Sequence, residues 1–158
     1  MPHRLDSDST VYFYENEFYP LSNFSAFRLG MWGNDFDTSE HAYHWRRFNS
    51  CAPLTAERVR RARSAHEAFR LAQANKGLQR KDWDDIKIEI MRQIIRAKAE
   101  QHPYVRKKLL ETGDRRLVED SWRDSFWGWG PDHKGDNMLG NLWMELRDKI
   151  RAELGFPA

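Results

Sequence analysis

The sequence has almost no cysteine. Cys51 is the only one in 158 residues, so an internal disulfide and a cysteine-rich zinc site are both excluded. Long hydrophobic runs are absent too: nothing approaches the roughly 20 apolar residues of a membrane span, and the N-terminus has no apolar signal core. These absences predict a cytoplasmic protein with no membrane partner.

The net charge is small, and several well-known motifs are absent. The formal charge is only +2, whereas a basic nucleic-acid-binding domain shows a larger excess. The sequence has no P-loop, no Rossmann glycine pattern, no HExxH motif and no nucleophile elbow. The commonest nucleotide-binding and hydrolase classes are therefore excluded, and any affinity for phosphate must come from local arrangement.

Aromatic residues, by contrast, are abundant, at 13% of the chain with seven tryptophans. A chain of this length buries about 70% of its unfolded surface, enough for one core with a cleft. We expect a flexible N-terminus over residues 1–10 and a single domain over residues 11–158. Large rings serve either a core or a stacking surface, and composition does not separate the two uses.

The pattern along the chain predicts strands, then helices, a strand, a loop and a last helix. Residues 11–14 and 27–32 have the β-branched and aromatic character of strands, with Gly33 and Asn34 as a turn. Apolar periodicity and helix boundaries predict the remaining elements: helices at 38–48, at 55–75 as two short pieces, at 82–101, 104–112 and 138–154, and a strand at 116–119. This order predicts a helix-dominated α+β fold with a small sheet.

Residues 38–48 contain the highest density of potentially reactive side chains. One of them, Glu40, has two possible roles. Either Asp37 or Thr38 can cap the helix, and if Asp37 does, Glu40 is the capping-box glutamate that reaches back to the backbone. A position near a helix N-terminus also favours an ionised carboxylate suited to catalysis. The sequence does not decide between the capping role and the catalytic role of Glu40.

Metal binding is a weaker interpretation of the same residues. Glu40, His41 and His44 are spaced like helix-borne ligands, but adjacent Glu40 and His41 point in different directions and no second ligand cluster is evident. We therefore expect no metal and no other cofactor.

Lys98 lies on the apolar side of the helix predicted at 82–101, four residues after Ile94. Such a lysine usually extends its amine to water from the margin of the apolar stripe. Less often it is a buried partner of a carboxylate, or a nucleophile whose pKa is depressed. Both interpretations stay open for Lys98.

Residues 120–131 cannot form a regular element, because they contain four large rings and end in Gly, Gly and Pro. With the rest of the chain they supply carboxylates, rings and cations: Glu40, Glu119, Asp120 and Asp124; Trp83, Trp122, Phe126, Trp127 and Trp129; and several Arg and Lys residues. Cleavage of a bond between ribose C1 and a base nitrogen needs these types, since a carboxylate stabilises the cationic sugar, rings hold the base and cations hold phosphate.

Several short motifs resemble, in order and spacing, the NADAR (YbiA-like) family from about residue 12 to 151. They are Leu21-Ser22-Asn23-Phe24, Ser39-Glu40-His41-Ala42-Tyr43, Asp82-Trp83, Lys98, Leu117-Val118-Glu119, Asp124, Trp127-Gly128-Trp129-Gly130, Asn137 and Leu139-Gly140. The resemblance implies a helix-dominated α+β domain with a small antiparallel sheet. It also implies an N-glycosidase that acts on aminopyrimidine ribose 5-phosphates of the riboflavin pathway, or on ADP-ribosylated guanine in nucleic acid.

The resemblance further implies which residues form the site. Glu40, Asp124 and Lys98 match catalytic positions, and Lys98 would act through a Schiff base, a route we place behind direct water attack. The implied substrate contacts are Ser22, Asn23, Phe24, His41, Trp83, Glu119, Trp127, Gly128, Asn137 and Gly140. The chain departs from the family at His44 and Arg47, where members often have Gln and Lys, and at Ala72-Gln73, which replaces a Gly-Arg pair.

Two other hypotheses stay open. The chain could be a non-catalytic module that binds ADP-ribose or nucleic acid through stacked rings, or its tryptophans could simply form the core. The first predicts binding without base release, and the second predicts no effect of small molecules on the melting temperature.

Overall fold

The computed structural model describes residues 6–14 and 18–156. Its strands are β1 (Thr10–Phe13), β2 (Leu29–Met31), β3 (Asn34–Phe36) and β4 (Arg116–Glu119). Its helices are α1 (Ser39–Phe48), α2 (Pro53–Arg60), α3 (Ala65–Ala74), α4 (Trp83–Gln101), α5 (Pro103–Glu111) and α6 (Met138–Glu153). The chain forms two compact units, one from Asn23–His102 and the other from the residues up to Ser22 together with those from Pro103 onward.

The first five residues of the predicted flexible N-terminus lie outside the described part of the chain. Within the part that is described, Asp6 Oδ1 accepts a hydrogen bond of 2.7 Å from the Tyr12 backbone N–H. The single domain over residues 11–158, whose positions 15–17 and 157–158 also lie outside the described residues, stays a prediction.

The central unit, Asn23–His102, begins with an antiparallel hairpin in which Leu29 of β2 faces Phe36 of β3. The turn residues are Trp32 and Gly33, with φ of 54° and 73°, as expected for a hairpin turn with two left-handed residues. The predicted turn at Gly33 and Asn34 is wrong by one residue, because Asn34 already belongs to β3.

Four helices follow the hairpin, and their bounds lie close to the predicted ones. Helix α1 packs on α2, α3 and α4. Helix α4 ends at Gln101, since His102 precedes Pro103 and takes an extended conformation (φ −124°, ψ 96°). Its apolar side is buried and includes Met91, Ile94 and Ile95.

In the other unit β1 and β4 pair in parallel, with Val11 opposite Leu117. Helix α6 packs against β4, and the fully buried Trp143 donates from Nε1 to the Leu21 carbonyl at 2.9 Å. The helix-dominated α+β fold with a small antiparallel sheet is confirmed. The parallel pair is an addition that the sequence did not predict.

Among the described residues, no helix combines the length and the apolar character needed to cross a membrane.

Candidate active site

The start of α1 settles which residue caps the helix. Thr38 is extended, and its hydroxyl oxygen accepts a hydrogen bond of 3.3 Å from the His41 backbone N–H. Because Thr38 is the N-cap, Glu40 does not occupy the capping-box position. The Glu40 backbone N–H donates instead to the Asn23 carbonyl at 3.1 Å. The Glu40 carboxylate is therefore left for other contacts.

Glu40 contacts His44, one turn along the same face of α1. Oε1 of Glu40 lies 2.6 Å from Nε2 of His44, and Nδ1 of His44 lies 3.2 Å from Nη1 of Arg47. Arg47 also donates from Nε to Oε1 of Gln79 at 2.7 Å. We call these four side chains the Glu40 group. It is a continuous line of hydrogen bonds that ends on a carboxylate.

The Glu40 group is shielded from water. The side chains of Glu40 and His44 are only 10% and 4% exposed. Burial lowers the pKa of the Arg47 guanidinium, while Tyr43, Glu40 and Asp84 act in the opposite direction. In such surroundings a hydrogen bond to a charged group is stronger than in water, so the geometry of this line is well defined.

Trp83 joins the same neighbourhood through ring contacts. Its ring centroid lies 4.9 Å from that of Tyr43, and Tyr43 lies 4.9 Å from the His44 imidazole. Trp83 itself is buried. Trp83, at the start of α4, is thus linked to Glu40 through the side chains of Tyr43 and His44 on α1.

His41 is held entirely by the protein. Nδ1 lies 2.8 Å from the Thr38 hydroxyl, and Nε2 lies 3.0 Å from the Ala62 carbonyl. A carbonyl only accepts, so Nε2 donates and Nδ1 accepts from the hydroxyl when the ring is neutral. These bonds occupy both ring nitrogens. His41 links α1 to the end of α2, and its part in binding a substrate stays a prediction.

Lys98 is fully buried, at 0% exposure. Its amine donates to the Ser25 hydroxyl at 2.8 Å and lies 5.5 Å from the centre of the Phe27 ring. Burial lowers the pKa of the Lys98 amine to about 7. An amine with that pKa is partly unprotonated at neutral pH and therefore nucleophilic, but its burial leaves no exposed surface for a sugar to approach.

The predicted contacts at residues 22–24 differ in exposure. Ser22 and Asn23 are buried, whereas Phe24 is 38% exposed and presents a ring to solvent. Among the described residues, Oδ1 of Asn23 has no hydrogen-bond partner although it is buried. A buried amide oxygen of this kind suits a donor supplied by a ligand. Ser22 belongs to the other compact unit.

Asp124 lies in that other unit, in the irregular loop between β4 and α6. Its Oδ1 accepts from the backbone N–H groups of Phe126 and Trp127, both at 2.8 Å. The Trp127 ring is partly buried and meets the Phe126 ring edge-on at 4.8 Å. A Cβ on Gly128 would lie 2.9 Å from the Glu119 carbonyl, so glycine is required for the close approach. The predicted irregular loop is present, and its carboxylate shapes its own turn.

Asn137 and Gly140 both contact the backbone of β4. Asn137 has a left-handed conformation (φ 50°); its Oδ1 accepts from the Glu119 N–H and its Nδ2 donates to the Leu117 carbonyl, both at 2.9 Å. A Cβ on Gly140 would lie 2.2 Å from that carbonyl. The close approach that this glycine allows is therefore to β4. Glu119 is buried beside Asn137.

Residues outside the predicted set of site residues complete the surroundings of Glu40 and of Lys98. The sequence analysis considered His44 as a metal ligand and noted Arg47 only as a departure from the family, although both follow Glu40 at helical spacing. Gln79 and Ser25 come from distant positions, and no signal in the sequence points to them. No three His, Cys, Asp or Glu side chains gather as a metal site in the described ranges, and the expectation of a cofactor-free enzyme stays a prediction.

Comparison with known proteins shows that the chain is similar to one protein family. The NADAR domain model matches residues 12–151. The chain is 36% identical over 148 residues to the N-glycosidase YbiA of Escherichia coli, covering 92% of this chain and 91% of the relative. It is 36% identical over 145 residues to an N-glycosidase of Nostoc punctiforme, covering 90% and 93%.

Two further similarities concern a longer relative and a solved structure. The chain is 38% identical over 147 residues to a riboflavin biosynthesis protein of Vibrio vulnificus, covering 91% of this chain but only 39% of that protein. The NMR structure of E. coli YbiA superposes with a TM-score of 0.84 at 34% sequence identity, covering 98% of this chain and 92% of that one. The fold is therefore shared along nearly the whole chain.

Proposed function

The chain belongs to the NADAR family, and from this premise we propose that it is an N-glycosidase that hydrolyses the bond between C1 of a phosphorylated ribose and a nitrogen of an aminopyrimidine. The observation that carries the proposal is the Glu40 group, a buried carboxylate oriented by a histidine on its own helix. The reaction class is supported by a relative that is named an N-glycosidase. The choice of an aminopyrimidine as the base is supported by a relative that is named a riboflavin biosynthesis protein.

The proposed reaction needs one water molecule. Its oxygen bonds to C1 as the C1–N bond breaks, and the electron pair of that bond stays on the base nitrogen, which takes up a proton. Glu40 stabilises the positive charge that develops on the sugar, or accepts the proton of the attacking water. Oε1 of Glu40 is engaged by His44, and Oε2 has no hydrogen-bond partner among the described residues. The free oxygen is the one we assign to the chemistry.

The remaining assignments come from the resemblance and are part of the proposal. Asp124 would take part in catalysis, Trp83 and Trp127 would be contacts of the substrate, and the buried Asn23 amide oxygen would accept a hydrogen bond from the substrate. From the sequence itself we also propose that the reaction needs neither a metal nor a cofactor and that the protein acts in the cytoplasm.

Incubation with candidate substrates tests the proposal. Wild-type protein is given an aminopyrimidine ribose 5-phosphate and, separately, an oligonucleotide that carries ADP-ribosylated guanine, and released base is measured by chromatography. We expect release from the first substrate. Release from the second alone would move the substrate assignment to ADP-ribose, and saturable binding with no release from either would establish the non-catalytic module instead.

The route through Lys98 has its own test. Water oxygen reaches ribose C1 by either route, because a Schiff base is also released by hydrolysis, so the deciding measurement is borohydride trapping. Direct water attack predicts that borohydride traps no adduct. A Schiff base would give a reduced ribosyl adduct on Lys98, detectable by mass spectrometry. The full burial of Lys98 supports the first outcome.

A further inference from the structure

The hydrogen bonds of His44 fix the position of its ring proton. Arg47 faces Nδ1 at 3.2 Å, and a guanidinium has donors but no acceptor. Nδ1 must therefore present its lone pair to Arg47. The proton of the neutral ring then lies on Nε2, which donates to Oε1 of Glu40 at 2.6 Å.

Arg47 is itself held in place, which makes the choice of tautomer a property of the fold. Its Nε donates to Gln79 at 2.7 Å, and its guanidinium is buried. The Arg80 backbone N–H donates to the Arg47 carbonyl at 3.1 Å, which ties the segment carrying Gln79 to the end of α1. A rotation of Arg47 away from His44 would break its bond to Gln79.

The opposite tautomer would break the line at both ends. With its proton on Nδ1, His44 would point a donor at Arg47 and a lone pair at the Glu40 carboxylate. Both contacts would become repulsive, and in a buried site such mismatches cost most. The ring therefore gives Glu40 a directed donor that a ring with the other tautomer could not supply.

We infer that His44 is the positioning residue of Glu40 and that Arg47, braced by Gln79, acts together with the carboxylate to fix the tautomer of His44. His44 holds Oε1 so that Oε2 faces the reacting sugar, and it does not touch the substrate. The inference rests on the proposed function, because it assigns His44 to the carboxylate proposed to do the chemistry.

The tautomer can be measured without any substrate. In ¹⁵N-labelled protein at neutral pH, long-range ¹H–¹⁵N correlation distinguishes protonated from unprotonated ring nitrogens. We expect wild-type His44 to carry its proton on Nε2 alone. Because the Glu40 carboxylate also requires that tautomer, the part played by Arg47 is measured in Glu40→Gln, whose amide can face either tautomer. We expect the proton to stay on Nε2 in Glu40→Gln and signals of both tautomers in Glu40→Gln/Arg47→Met. A wild-type proton on Nδ1, or the same tautomer in these two variants, would overturn the inference.

Kinetics test the positioning role. His44→Gln keeps a donor within reach of Glu40, whereas the shorter amide of His44→Asn does not reach it. We expect kcat to fall about 100-fold in His44→Asn with KM nearly unchanged, and to fall less than about tenfold in His44→Gln. Equal losses in the two variants would contradict positioning by a donor. His66→Asn, at an exposed histidine, is the matched control and should retain wild-type kinetics.

The two experiments separate failure of the inference from failure of the proposed function. If wild-type protein releases no base from any substrate, the N-glycosidase proposal fails, whereas the NMR measurement still decides how His44 meets Glu40. If base is released but His44→Asn matches wild type, the proposed function holds and the inference does not.

Discussion

The residues around Glu40 and those of the loop between β4 and α6 use the same side-chain types for different purposes. In the Glu40 group, polar side chains bond to one another and leave a carboxylate oxygen for other contacts. In the loop, Asp124 and Asn137 bond to backbone groups of their own unit. Carboxylates and amides at motif positions can therefore bond to other side chains or hold backbone groups, and in this protein the two regions differ in that respect.

This comparison predicts that substitutions in the loop and β4 region act mainly on stability. The largest effect is expected for Gly140→Ala, because the new Cβ would lie 2.2 Å from the Leu117 carbonyl. We expect a loss of about 3 kcal/mol in the free energy of unfolding, measured by urea titration. Gly77→Ala is the control, since its Cβ would meet nothing within 4 Å. Equal stability of the two variants would contradict the close contact.

Asn137→Gly should have the next largest effect. The variant keeps the left-handed backbone at low cost but removes both hydrogen bonds, leaving the Glu119 N–H and Leu117 carbonyl without their partner. We expect a loss of about 2 kcal/mol in unfolding free energy. In Asn137→Asp one oxygen can still accept from the Glu119 N–H, but the other would face the Leu117 carbonyl without a proton to donate. An Asp variant as stable as wild type would therefore argue against this account.

Lys98 provides a pH-dependent test in the unit that contains Glu40. Its pKa is about 7 in the folded protein and about 10.4 in an unfolded chain, so between these values only the unfolded state binds the proton. Stability should therefore rise with pH by about 1.4 kcal/mol per unit in that window, and be independent of this group below it.

Lys98→Met removes the titration. Urea titrations at several pH values between about 7.5 and 9.5 should give a stability profile that is flatter than the wild-type profile by that slope. Parallel profiles for the two proteins would show that the amine is not buried in its neutral form.

Asp124 gives the smallest and most discriminating stability effect. Asp124→Ala loses the acceptor for two backbone N–H groups and should cost about 1 kcal/mol. Asp124→Asn keeps an acceptor oxygen and should stay within about 0.5 kcal/mol of wild type. If Asp124 assists catalysis, both variants lose kcat. Full activity in Asp124→Asn would show that the Asp124 carboxylate has only a structural role.

Much of the fold could be predicted because its signals are local. The X-Pro step at His102 ends α4, and the apolar periodicity of α4 identifies its buried side. The parallel pairing of β1 with β4 could not be predicted, since the two strands are far apart in the chain and their residues do not encode direction.

The candidate site could be predicted only in part. The spacing of Glu40 and His44 places them on one face of a helix, but the contact of Arg47 with Gln79 depends on how two segments pack. Motif matching also did not predict the close packing of Gly140 against the Leu117 carbonyl, and the substrate contact predicted at Gly140 stays a prediction.

The kcat of Glu40→Gln for base release tests the central claim most directly. The substitution keeps the shape of the side chain and an oxygen that can accept from His44, and removes only the negative charge. We predict a fall of about 1,000-fold in kcat with a change in unfolding free energy below about 1 kcal/mol. A folded Glu40→Gln protein with kcat within about threefold of wild type would contradict the assignment of the chemistry to Glu40.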